Sequence, residues 1–173
     1  MKSLFIFTLV IFYFTSCDRP KNSISSVTIA SQDYMANAPF VAVEIDSSFN
    51  LKYYGGLNSN PSGFYRSKIS SSQWDTINSI LESIHYEKMD SIYPPMVDDG
   101  QIEIIIYSKG KRKYIDAQPS RLRELELKVF ERIINIYKEV KLVQTYDSLM
   151  FETSAQEFHP PIEQHIEFTP PPK

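Results

Sequence analysis

The sequence predicts an α+β fold, a two-layer sandwich in which an antiparallel sheet of about five strands carries two helices on one face, in the order β-β-β-α-β-β-α. Three observations carry this. Phe40-Val41-Ala42-Val43-Glu44-Ile45 alternates, with Val41, Val43 and Ile45 on one face, as a half-buried strand requires. Trp74, Ile77, Leu81 and Ile84 instead recur at helical spacing. After a strongly apolar strand at 102–107, a second and longer helical stripe follows.

Asp46-Ser47-Ser48-Phe49-Asn50 is turn chemistry, and Leu51-Lys52-Tyr53-Tyr54 returns as a strand that ends at Gly55-Gly56. A loop rich in Asn, Ser and Pro leads to a third short strand over 63–69, with Phe64 and Tyr65 on opposite faces. Ser70-Ser71-Ser72 offers hydroxyls to the open N–H groups of the first helix, which is expected to run about four turns. Tyr93-Pro94-Pro95 keeps the next stretch extended, and Asp98-Asp99-Gly100 turns the chain.

In the strand over 102–107, Ile105 lies opposite Ile102, Ile104 and Ile106, so both faces are expected to be covered and the strand central. Lys109-Gly110 makes a tight turn to its hairpin partner over 112–117. Pro119 opens the second helix, where Leu122, Leu125, Val129, Ile133, Ile136 and Val140 mark one stripe; Leu142-Val143-Gln144 follows as a candidate last strand.

The ends read differently from this centre. Lys2 is the only charge before Cys17, and the apolar run over 4–14 followed by Thr15-Ser16-Cys17 has the pattern of an export signal. Eleven residues make a helix of about 16 Å, roughly half of a bilayer's ~30 Å hydrocarbon thickness, so a membrane span is not expected. Phe14-Thr15-Ser16-Cys17 resembles the bacterial lipobox, with Phe14 in place of the usual Leu. That resemblance implies cleavage before Cys17, lipidation of its thiol and acylation of the new amine. The alternatives are an ordinary signal with a coincidental Cys, or a signal anchor. Cys17 is the one cysteine of the chain, so no internal disulfide can account for it.

The organisation expected is a signal peptide over 1–16, a linker over 17–38, a globular domain over 39–145 and a Pro-rich disordered tail over 146–173. Within the linker, Val27 and Ile29 offer a short edge strand as the alternative. Removing residues 1–16 leaves 157 residues, enough for one domain, and moves the formal charge from -3 to -4, which speaks against nucleic acid as a partner.

Two helices on one face leave the other sheet face open, and Tyr54, Tyr107 and Tyr114 on it would form a binding face, each tyrosine joining apolar area to a polar tip. Lys109, Lys111, Arg112 and Lys113 would raise the potential at one hairpin tip, where an anion such as a lipid phosphate or an acidic partner could sit. Asp98, Asp99 and His85 would form an acid/base site only if folding joined them in a pocket; His159 and His165 have no metal-ligand spacing. No Gly-rich phosphate loop, Ser-His-Asp order, zinc spacing or nucleophile elbow occurs, so no metal or cofactor is implied.

Over 39–144 the Leu51-Lys52-Tyr53-Tyr54-Gly55 strand end, the Gly63-Phe64-Tyr65 strand, the helix bearing Trp74 and Ile77, and the hairpin before Pro119 resemble a family of secreted bacterial domains of unknown function, often carried by lipoproteins. Fuller members carry a Cys-Pro pair entering the first strand, where this chain has Ala38-Pro39. The resemblance implies compartment and fold more than activity. The functional expectation is a non-enzymatic binding or assembly module, lipid-anchored in a bacterial cell envelope and meeting the membrane through its N-terminal lipid and an envelope protein through its sheet. The alternatives are an inhibitor or sensor of an exported enzyme or ligand, and a hydrolase whose site forms only in the fold.

Overall fold

The computed structural model describes residues 23–32, 40–56, 59–95 and 99–153. The strands are β1 (Ile24–Gln32), β2 (Val41–Asp46), β3 (Asn50–Gly55), β4 (Gly63–Lys68), β5 (Gln101–Ser108), β6 (Lys111–Ala117) and β7 (Val143–Thr145); the α-helices are α1 (Ser71–Ser83) and α2 (Glu124–Ile134). The strands form one open antiparallel sheet in the order β6-β5-β1-β2-β3-β4-β7. The α+β class holds; the count of about five strands is corrected to seven.

The largest part of that correction is β1. It sits between β5 and β2, pairing Ile29 with Ile104 on one side and Val43 on the other, so the linker reading gives way over 24–32. Val27 and Ile29 point into the main core, whereas Thr28 and Ala30 are buried on the opposite face. A strand covered on both faces by small and hydroxylated residues lacks the apolar run that marks such a strand in sequence. Residues 1–22, with the signal and Cys17, lie outside the described residues.

One face of the sheet carries the main core. Val27, Ile29, Val43, Ile45, Leu51, Tyr53, Ile104, Ile106 and Ile115 meet Trp74, Ile77 and Leu81 of α1 and Val129, Phe130 and Ile133 of α2. Tyr53 stacks on Tyr137 with ring centroids 4.2 Å apart, and its hydroxyl donates to the Pro61 carbonyl at 2.9 Å. Burial, with the neighbouring Tyr137 next, pushes the Tyr53 phenol well above its ordinary range. Beside it Gly55 is obligatory, because a Cβ there would stand 2.1 Å from the Pro61 carbonyl oxygen. The glycine that ends the Tyr53-Tyr54-Gly55 run is thus a packing requirement of the 59–61 loop.

Ser70 caps α1 as its sequence suggests: its hydroxyl accepts from Gln73 N, while the Gln73 side chain accepts from Ser70 N at 2.8 Å. The second helix departs from the single stripe read from Pro119. It begins as a 3-10 turn, Pro119–Arg121, becomes extended at Leu122 and Arg123, and only then enters α2, with a further 3-10 turn over Asn135–Glu139. Glu126 restarts it, its carboxylate accepting from Arg123 N at 2.8 Å and from the Arg123 guanidinium. Glu126 takes the inward position and Leu125 is left 58% exposed. Leu125 therefore drops out of the expected stripe.

Candidate functional site

The sheet face away from the helices is occupied by the segment that follows β7. After β7 the backbone turns back, and Leu149 and Phe151 bury against Ala30, Ala42, Tyr54 and Phe64, with Phe40 at the margin. The tail reading thus gives way over 146–153, while 154–173 lie outside the described residues. From β7 to β5 is five strand spacings, about 24 Å at ~4.8 Å each. The eight steps from Thr145 to Thr153 span at most about 27 Å, so this strap crosses the sheet nearly fully extended. Extension imposes alternation: Leu149 and Phe151 point down, whereas Met150 is 81% exposed.

Sequence places the trough under the strap. Ala30 and Ala42 stand side by side on β1 and β2, with Tyr54 and Phe64 next in the same row and Glu103 on the other flank. Two methyl side chains at the middle leave depth for Leu149 and Phe151, and the Tyr54 and Phe64 rings, 4.6 Å apart, form the wall.

At the β5–β6 end polar groups fasten the strap. Glu152 accepts from the Tyr107 hydroxyl at 2.8 Å and from Arg112 Nε at 2.6 Å, and the Thr153 hydroxyl donates to the buried Glu103. The Arg112 guanidinium also lies 5.1 Å from the centre of the Tyr114 ring. Glu103, Ile105, Arg112, Tyr114, Glu152 and Thr153 line a cleft of about 310 Å³ beside the strap.

Burial pulls the Glu152 carboxyl upward, but the Tyr107 hydroxyl and the Arg112 guanidinium outweigh it and hold the group below its ordinary 4.5. The hydrogen bond to Glu152 in turn raises both the Tyr107 phenol and Arg112. A carboxyl lowered in the folded state stabilises above its unfolded value and loses that contribution as pH falls through the folded one. Amide protection over 149–153, measured by hydrogen exchange, should hold at neutral pH and decline below about 4.5, and Glu152→Gln should abolish that pH dependence.

The residues proposed from sequence thus separate. Tyr114 and Arg112 line the cleft and Tyr107 is joined to it through Glu152, whereas Tyr54 is buried beneath the strap and offers no exposed ring. Arg112 and Lys113 diverge onto opposite faces, Lys113 donating to the Met89 carbonyl. Lys109 and Lys111 remain exposed at the hairpin tip. Asp99 accepts from Ser120 N at 3.0 Å, and Ser120 first, then Gly100, holds its carboxyl below the ordinary range. His85 is exposed beyond α1 and lines no part of the cleft, and Asp98 lies outside the described residues.

Glu152 and Thr153 are the site residues that sequence reasoning missed. Their signal was the alternation Leu149-Met150-Phe151 in a segment otherwise read as tail. Among the described residues no group of three or more His, Cys, Asp and Glu side chains converges to hold a metal ion, and no helix is long and apolar enough to cross a membrane.

Comparison with known proteins agrees with the strand assignment, since the matched region opens inside β1. Residues 25–148 match a domain of unknown function, DUF6438, from β1 through β7 and up to the start of the strap. No curated protein matches the chain. The match covers well over half of the sequence, and the chain belongs to the DUF6438 family.

Proposed function

We propose that the protein is a lipid-anchored binding module of the bacterial cell envelope, held at the membrane through Cys17 and taking a protein partner on the β5–β6 part of its strapped face. The observation that carries the binding role is the cleft beside the strap, where the Tyr114 ring and the Arg112 guanidinium combine aromatic and cationic surface next to the carboxylates of Glu103 and Glu152. Tyrosine and arginine are the side chains that most often anchor recognition, because each offers large contact area together with directional hydrogen bonds. The anchor is supported by the charge, apolar run and Thr15-Ser16-Cys17 pattern at the N-terminus.

Two measurements test the two halves. Intact-mass analysis of the membrane fraction should show wild-type chain beginning at Cys17 and carrying acyl groups, absent from Cys17→Ser. A photo-crosslinking residue at Tyr114 should give a discrete adduct in the envelope, where the same residue at Glu131, exposed on α2, gives none. Unacylated soluble protein cut elsewhere would overturn the anchor; indistinguishable patterns from the two positions would overturn the cleft.

A further inference from the structure

Ser23, the first described residue, is fixed to the β5–β6 hairpin: its carbonyl accepts from Lys109 N at 3.1 Å, and its hydroxyl donates to Glu82 at 3.3 Å. The chain thus enters the domain at one end of the sheet, beside the Lys109-Gly110 turn. Lys109 and Gly110 both have positive φ, 51° and 73°, as a two-residue turn matching the strand twist requires. The turn also protrudes, since a Cβ on Gly110 would meet nothing within 4 Å. Lys109 and Lys111 are exposed there, and Lys68 ends β4 at the same end of the sheet, opposite Asn50.

Cys17 precedes Ser23 by six residues, with Arg19 and Lys21 between them. Whatever its path, that stretch reaches no further than about 21 Å. A flexible chain of that length has a root-mean-square span of about 13 Å, between one and two of the ~8 Å Debye lengths at physiological salt. An acylated Cys17 therefore keeps the hairpin tip where the potential of an anionic bilayer is still felt.

We infer that the Lys109-Gly110-Lys111 tip is the membrane-facing end of the domain and rests on anionic lipid headgroups, its two ammonium groups meeting lipid phosphates. The inference depends on acylation of Cys17. It also orients the cleft: Tyr114 lies three residues up β6, about 10 Å from the tip at ~3.3 Å per residue, so a partner would approach sideways along the membrane surface.

The test uses the full acylated protein, its N-terminal mass established first, in phosphatidylcholine vesicles with and without about a third phosphatidylglycerol. Amine labelling of Lys109 and Lys111 is read against Lys128 and Lys138 on the helical face. Labelling at the tip should fall about three-fold or more in anionic vesicles relative to detergent micelles, and recover in roughly 0.5 M salt. Equal labelling of all four lysines on anionic vesicles would overturn the inference while leaving the lipoprotein reading intact; absence of the acyl mass would remove both. Protection in micelles by millimolar inorganic phosphate alone would show a small-anion site and overturn the lipid assignment.

Discussion

A chain beginning at Pro39 will not fold, whereas one beginning at Ser23 will. Removing 24–32 takes out the strand between β5 and β2, leaving the β5–β6 hairpin on one side and β2, β3, β4 and β7 on the other. A two-stranded hairpin is marginal in water without a sheet to extend. The loss is also apolar: Ile24, Val27 and Ile29 are each 1% exposed, and full burial of such side chains is worth about 1.5–3 kcal/mol apiece. Three of them approach the ~5–15 kcal/mol that separates a domain from its unfolded chain. Near-UV circular dichroism, Trp74 fluorescence and urea unfolding should show a cooperative transition for the longer chain and none for the shorter. Matching transitions with equal denaturant slopes would mean that β1 is dispensable.

That result bears on what the sequence could reveal. β2, β3, β5, β6 and α1 were legible because each carries a regular apolar stripe towards the main core: Val41-Val43-Ile45 has the period of a strand, and Trp74-Ile77-Leu81 that of a helix. β1 was not, because Ala30 is buried for a reason found some 120 residues away in Leu149 and Phe151. The strap was hidden likewise. Its two apolar residues are too few to form a period, and their partners are alanines chosen by depth. In α2 the misleading residue was Leu125, whose inward position is filled by Glu126 once Arg123 breaks the helix. The candidate site was half legible: Tyr107, Arg112 and Tyr114 lie on one hairpin with fixed register, but the carboxylate that joins Tyr107 to Arg112 comes from a segment with no local pattern.

Phe151→Ala will detach the strap, and the size of the effect decides what holds it down. Phe→Ala in a core costs about 3–5 kcal/mol; a single strap lying on a sheet face without regular secondary structure can relax into part of the space, so about 2–4 kcal/mol is expected here. The Arg112–Glu152 pair is 42% and 43% exposed, and pairs of that exposure contribute at most about 1 kcal/mol. The apolar anchor therefore outweighs the ionic clasp. Phe151→Ala should lower the urea midpoint and remove amide protection over 149–153 at every pH, while Glu152→Gln should reduce that protection at neutral pH only to the level the wild type shows at low pH, a loss of about five-fold at most. The opposite ranking would make the clasp the main restraint. With the strap released, Ala30, Ala42, Tyr54 and Phe64 become a bare trough continuous with the cleft at Tyr114. Crosslinking from Tyr114 in Phe151→Ala then separates two modes of binding. A partner that rests on the strap loses its adduct, and one that competes with the strap for the trough gains it.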